Sequence, residues 1–252
     1  MVSAIIRRAP DALGRRSKVP RRGHGSRQGG TDRLEVQRLH KSFSGCTAVN
    51  GASLYVERGE AVALFGPNGS GKTTVLHMIA GLIRADCGRI ELEGRDITNL
   101  PMYQRARLGI GYLARAAWVS RELNVEQTIG MVLEAVEPDR KRREYDLELL
   151  LDELDIAHLR EWPADAISGS QRRRVEVVRV LAARPAYLLL DELFVDAEPT
   201  VDHIPILVQQ FTRRGIGVLI TDRLNQNSRQ ILDIIDRAYV ICAGNVLGTL
   251  VC

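Results

Sequence analysis

The chain is read as an α/β fold: a parallel sheet flanked by helices, with an antiparallel β subdomain ahead of it and an α-helical subdomain inserted into it. Three observations predict this. The short apolar runs "AVALF" (61–65), "YLLLD" (187–191) and "GVLITD" (217–222) read as strands buried on both faces. Helical patterns lie between them, as connections between parallel strands require. A glycine-rich run, "GPNGSGKTT" at 66–74, separates the first of these strands from a helix.

In chain order, residues 1–33 come first. They are rich in Arg, Gly, Ser and Pro, have no apolar period and are expected to be a disordered basic tail. They hold 9 Lys and Arg against 2 Asp and Glu, whereas residues 34–252 hold 26 against 29. The net charge of +4 is therefore set by the tail. The mildly acidic remainder removes the composition argument for a nucleic-acid-binding core, and no nucleic-acid partner is expected. One domain is expected over 34–252.

Within it, "LEVQRLHKSF" and "ASLYVERG" alternate as antiparallel strands, with a turn through "SGC". A helix is expected from Lys72 to about Ile83, and a strand at "GRIELEG". Residues 124–160 read as helices broken at Pro138, within an all-helical insertion over about 115–167. "VEVVRVLAARP" is an apolar-striped helix ending at Pro185, and "TVDHIPILVQQFTRRG" is one closed by Gly215. A last helix and a hairpin turning through "AGN" finish the chain.

The four cysteines, Cys46, Cys87, Cys242 and Cys252, form no CxxC pair and have no His at ligand spacing, which favours reduced thiols over a metal site. The start "MVSAIIRRAP" lacks the apolar core of a signal peptide, and no run reaches the roughly 18 apolar residues of a membrane span. A soluble, cytoplasmic chain is expected, unless a partner brings it to a membrane.

Gly66, Gly71, Lys72 and Thr73 fit G-x-x-x-x-G-K-[ST] between a strand and a helix, the context that a phosphate-binding loop needs. Gly69 and Gly71 let the backbone close around phosphate, so that successive N–H groups and a helix N-terminus face it. Lys72 is expected to reach the β- and γ-phosphates, and the Thr73 hydroxyl to ligate Mg²⁺. The expected contact set for ATP in this run is Gly66, Asn68, Gly69, Ser70, Gly71, Lys72, Thr73 and Thr74. Such a site needs a carboxylate at a neighbouring strand end. "YLLLDE" supplies Asp191 for the Mg²⁺ shell and Glu192 to polarise an attacking water, so that Lys72 and Glu192 are the expected catalytic groups. The core is thus expected to be a P-loop NTPase (RecA-like) fold.

Between loop and carboxylates lies "ISGSQRRRVEVVRVLAARP", with Ser168 standing 23 residues before Asp191. With it, residues 34 to about 250 resemble the ATP-binding subunits of ABC transporters. "ISGSQ" is similar to that family's signature, which implies that Ser168, Gly169 and Gln171 cap a nucleotide held by a second ATP-binding subunit, in a homo- or heterodimer. The resemblance also implies transmembrane permease subunits as partners, a position on the inner face of the cytoplasmic membrane, and an aromatic residue against adenine at Phe43. A membrane partner would dock near Leu113 to Leu123. "ARLGIGYL", "SQRRRVEVVRVLAARP" and "RRGIGVLITD" most resemble ATPases of lipopolysaccharide-export transporters, with those of branched-chain amino-acid importers as near relatives.

This sequence also departs from the family pattern. Arg115 stands where the family has a Gln that touches Mg²⁺ and water. Arg223 replaces a His that contacts the γ-phosphate, Ser170 replaces the second signature glycine, and Leu193 and Glu198 replace a Pro and an Asp. A cation beside a divalent metal is repelled and cannot take a proton from water. The expectation is ATP binding with impaired hydrolysis. The alternatives are an ordinary transporter ATPase, a non-hydrolysing subunit paired with a competent partner, and a soluble member acting on DNA or ribosomes.

Overall fold

The computed structural model describes residues 32–115, 122–192, 203–223 and 231–251. Residues 1–31 of the basic tail, most of the expected docking stretch before Leu123, Leu193, Glu198 and most of the last expected helix lie outside them; Arg33, placed in the tail by the sequence, instead opens a strand.

The chain opens with a long antiparallel pair, β1 (Arg33–Phe43) and β2 (Cys46–Glu57), turning at Ser44 and Gly45. With β4 (Cys87–Leu92) and β5 (Arg95–Asp96) they form a four-stranded antiparallel sheet in the order β2-β1-β4-β5. The second sheet has six strands: β3 (Ala61–Phe65), β6 (Ile110–Leu113), β7 (Tyr187–Asp191), β8 (Gly217–Asp222), β9 (Arg237–Cys242) and β10 (Asn245–Val251). Their order is β10-β9-β3-β8-β7-β6, parallel throughout except for the β9–β10 hairpin.

Every residue of β3, β7 and β8 is buried, as the unbroken apolar runs predicted. Alternation splits each strand between two cores. Ala61, Ala63 and Phe65 face one core, with the helices α3 (Val125–Val136), α4 (Arg140–Glu153), α5 (Gly169–Ala182) and α6 (His203–Arg213). Val62 and Leu64 face the other, which α1 (Lys72–Ala80) fills between the two sheets. Between β6 and β7 the described elements are helical: α3, α4, a short 3₁₀ turn at Ala157–Leu159, and α5.

α1 stops at Ala80, three residues before its expected end. Gly81 takes a left-handed conformation, φ 78°, and its N–H bonds back to the His77 and Met78 carbonyls. Arg105, on the short helix α2 (Met102–Arg107), supports this end from outside. Its buried guanidinium donates to the carbonyls of Met78 (2.6 Å), Ile79 (2.9 Å), Thr98 (2.8 Å) and Leu100 (2.8 Å). Removing it leaves four carbonyl acceptors without this donor. Arg105→Ala is therefore expected to lower the unfolding free energy by about 3 kcal/mol in a urea titration. Arg105→Lys should recover less than half, because an ammonium cannot span four acceptors.

Three elements have no counterpart in the sequence-based expectation: β5, α2 and β6. The "IGYL" of β6 is a four-residue run with a glycine inside it, too short for periodicity to speak.

Candidate functional site

β3, β8, β7 and β6 are adjacent and parallel, so their C-terminal ends share one edge of the sheet. Chemically loaded residues stand at each of these ends. The glycine-rich loop comes directly after Phe65, Asp222 and Arg223 end β8, Asp191 and Glu192 end β7, and Arg115 stands two residues beyond β6. Open α/β sheets bind ligands at such carboxyl edges.

The loop is built from the backbone outward. Gly66 donates its N–H to the Asp222 carbonyl (3.2 Å), and a Cβ there would sit 2.3 Å from the Ile241 carbonyl oxygen. Gly71 precedes α1 at φ 102°, and a Cβ on it would lie 2.5 Å from the Ala48 carbonyl oxygen. No side chain caps the N-terminus of α1, and its first turn holds no acidic residue. Those N–H groups and the helix dipole are thus directed toward an anion. The Ser70 hydroxyl is buried and has no hydrogen-bond partner among the described residues, a further donor at the same loop. Gly69 sits at φ 74° with open space beside its Cα, Thr74 is partly buried in the first turn of α1, and Asn68 is exposed.

Lys72 is almost wholly buried. Its ammonium donates to the Gly66 (2.8 Å) and Pro67 (3.0 Å) carbonyls and lies 3.3 Å from Glu192 Oε1. The Thr73 hydroxyl donates to Asp191 Oδ1 (3.1 Å), as does that of Thr221 (2.7 Å). The Tyr112 hydroxyl donates to Asp191 Oδ2 (3.2 Å) and lies 2.9 Å from His77 Nε2. Burial, then the charge of Asp191, raises the Tyr112 pKa, so the phenol keeps its proton. A hydroxyl and a carboxylate side by side form a hard-oxygen set that would suit Mg²⁺. Among the described residues no group of three His, Cys, Asp or Glu side chains forms a metal cage.

Glu192 leaves the strand at φ 47°, its N–H donating to the Thr221 carbonyl (3.0 Å) and hydroxyl (3.1 Å). Its carboxylate meets three cations. Beyond Lys72 on Oε1, Arg115 Nη1 reaches Oε2 at 3.2 Å and Arg223 Nη2 stands 3.7 Å from the same oxygen. Two of the positions that depart from the family pattern thus converge on one carboxylate oxygen. Asp222 lies beside them, buried. Burial, with the Glu192 charge adding, pushes its carboxyl above the ordinary range, while the Arg223 N–H on Oδ1 (2.5 Å) works against that.

The remaining expected residues lie elsewhere. Phe43 ends β1 with 47% of its surface exposed, which excludes a core aromatic, and the Lys41 ammonium lies 5.4 Å from its ring centre. Ser168 caps α5: its hydroxyl accepts from the Gln171 N–H (3.3 Å) and its own N–H donates to the Gln171 side chain (3.0 Å). Ser168, Gly169 and Ser170 are exposed, with nothing within 4 Å of a Cβ built on Gly169. Among the described residues this signature makes no hydrogen bond to the loop at 66–74. Sequence reasoning missed Tyr112, His77, Thr221 and Asp222. His77 lies four residues beyond Thr73 and so shares its face of α1. Tyr112 and Thr221 lie three and two positions ahead of Arg115 and Arg223, which the sequence does single out.

A glycine-rich loop opening a helix at the carboxyl edge of a parallel sheet, with a strand-end Asp-Glu pair facing it, defines a P-loop nucleotide triphosphatase. The antiparallel sheet and the helical block that ends in a signature helix narrow the class. The chain belongs to the ABC transporter family of ATP-binding proteins, whose profile matches residues 49–195. It is 57% identical over 210 residues to a probable ABC transporter ATP-binding protein of Azorhizobium caulinodans, covering 83% of this chain and 74% of that one. It is 42% identical over 220 residues to the lipopolysaccharide export system ATP-binding protein LptB of Haemophilus influenzae, covering 86% and 89%. Among solved structures it is similar to an ATP-binding cassette of an ABC transporter in an ADP conformation, with TM-score 0.75, 26% identity, and coverage of 87% and 91%. Among the described residues no helix is long and apolar enough to cross a membrane.

Proposed function

We propose that this chain is the ATP-binding subunit of a lipopolysaccharide-export transporter, and that it binds ATP well but hydrolyses it slowly. Membership of the ABC transporter family supports ATP binding. The identity to lipopolysaccharide-export ATP-binding proteins supports the substrate class. One observation carries the slow hydrolysis: Arg115 and Arg223 both lie against Glu192 Oε2.

The mechanism rests on the side chains. The loop N–H groups, the Ser70 hydroxyl and the Lys72 ammonium hold the phosphates, while Phe43 offers its exposed face to the base. Thr73 and Asp191 hold Mg²⁺, which when bound offsets charge on the β- and γ-phosphate oxygens. Glu192 is the group that would orient an attacking water. A carboxylate oxygen that accepts the Arg115 hydrogen bond, with the Arg223 cation 3.7 Å away, has less to offer that water. Were Arg223 to turn to the γ-phosphate instead, it would bind that phosphate but lack the shape and tunable proton of an imidazole. The lysine alone on Glu192 would not block it, because the second oxygen would remain open.

The helical block over about 115–167 is assigned to the subdomain that meets the membrane partner, and residues 34–252 to one ATP-binding domain. The exposed signature at Ser168, Gly169 and Gln171 is assigned to the nucleotide of a second ATP-binding subunit, with the chain at the inner face of the cytoplasmic membrane. The test uses one preparation of the full chain. Equilibrium binding of a fluorescent ATP analogue should saturate near one site per chain, with Mg²⁺-ATP turnover well below one per second. Turnover at an ordinary enzyme rate of about 10 per second refutes the slow-hydrolysis reading. Absence of binding refutes the nucleotide site.

A further inference from the structure

The hydrogen-bond chain from His77 through Tyr112 to Asp191 has no part in the proposed steps of ATP binding and hydrolysis. Its polarity is set by proton counting. A phenol has one proton to give. A carboxylate has no proton to give and accepts only, and a charged acceptor takes the stronger bond. The Tyr112 proton therefore points to Asp191 (3.2 Å), and His77 Nε2 must carry the proton that it donates to the Tyr112 oxygen (2.9 Å). The two rings meet edge to face, with centroids 5.6 Å apart at 81°, which fixes the phenol's direction.

Asp191 is thereby gripped on both oxygens by neutral donors. Thr73 and Thr221 serve Oδ1, and Tyr112 serves Oδ2. Thr73 and Thr221 come from the loop helix and from β8, and both donate to the same oxygen. Tyr112 comes from β6, the strand on the far side of β7, and is the donor on the second oxygen. The cluster spans α1, β6, β7 and β8, so it sets the carboxylate's plane relative to Thr73.

We propose that Tyr112, oriented by His77, is a positioning residue for the divalent-cation site: it fixes the Asp191 carboxylate beside the Thr73 hydroxyl, where the two would hold Mg²⁺. This rests on the nucleotide-site reading, in which Thr73 and Asp191 hold the ion. Outer partners of a metal-holding carboxylate typically control metal affinity by about 10- to 100-fold. Tyr112 hydrogen-bonds His77 and Asp191 and is not among the groups assigned to phosphate or base. Its loss should therefore appear in the Mg²⁺ dependence and not in the affinity for nucleotide alone.

Tyr112→Phe removes one oxygen and keeps the ring. The experiment titrates a fluorescent ATP analogue into full-length wild-type, Tyr112→Phe and His77→Phe proteins, first in EDTA and then at rising Mg²⁺. The expected result is an unchanged affinity in EDTA and a Mg²⁺ midpoint raised about tenfold in Tyr112→Phe, with a smaller shift in the same direction in His77→Phe. Melting curves run in parallel separate this from a loss of fold. An unmoved midpoint overturns the inference, as does an equal loss of affinity with and without Mg²⁺. A wild-type protein that binds the analogue with no Mg²⁺ effect also overturns it, since there is then no ion to position. A wild-type protein that does not bind the analogue at all overturns the nucleotide-site reading itself.

Discussion

Changing Arg115 to Gln and Arg223 to His together is expected to raise Mg²⁺-ATP turnover about 100-fold. Each arginine lies against the same oxygen of Glu192, at 3.2 and 3.7 Å, so removing one leaves the other in place. Groups that act on one atom are not additive. Each single variant should therefore gain no more than about threefold, and the pair far more than their product. The size comes from mutational experience with transition-state contacts, where one well-placed donor contributes about 10² to 10³ in rate. Glutamine brings an amide that can hold water, and histidine a donor for the γ-phosphate with no fixed charge. Affinity for ATP should fall slightly in the same variant, because two cations near the triphosphate are lost. A steady-state assay beside a binding titration reads both. Turnover that stays at the wild-type level would mean that Glu192 is silent for another reason, and the role given to the two arginines would fall. In a Gram-negative strain depleted of its own lipopolysaccharide-export ATPase, restored growth with the double variant and not with the wild type would join the rate to the transport assignment.

Lys72→Ala is expected to weaken ATP binding by about 100-fold or more. The lysine is nearly inaccessible to water, and its three hydrogen-bonding directions end on Gly66 O, Pro67 O and Glu192. A triphosphate would offer this ammonium charged oxygens at the same place. Losing two charge-assisted contacts costs about 3 kcal/mol, which is roughly 100-fold in Kd. Lys141→Ala, an exposed lysine on α4, serves as the control and should leave Kd within twofold. Equal effects from the two substitutions would remove Lys72 from the phosphate site. The fold should tolerate the change, because Glu192 keeps Arg115 and Arg223 as partners when the lysine is gone.

Much of the scaffold is legible in the sequence because its causes are local. A strand buried on both faces must be apolar at successive positions, and "AVALF", "YLLLD" and "GVLITD" are each a central strand. The turn at Ser44 and Gly45, the helix break at Pro138 and the hairpin at Ala243 and Gly244 reflect backbone preferences of one or two residues. The end of α1 falls three residues short of its expected place. Gly81 looks in the sequence like any glycine near a helix, and the Arg105 guanidinium that supports its cap lies well beyond it. β6 escapes sequence reading because four residues give no period, and its partner β7 lies more than seventy positions away.

By itself the sequence determined the loop at 66–74, the Asp191–Glu192 pair and the departures at Arg115 and Arg223, because each is a matter of residue type at fixed spacing. It also determined the family, through the order in which those motifs occur. Only the tertiary structure decided what the departures touch. The strand order β3-β8-β7-β6 brings Lys72, Arg223, Glu192 and Arg115 to one edge of the sheet from four distant points in the chain. It likewise set Tyr112 of β6 beside Asp191 of β7 and gave His77 a partner. Contacts of this kind depend on parallel pairing and crossover connections between residues far apart in sequence, and no local pattern encodes them.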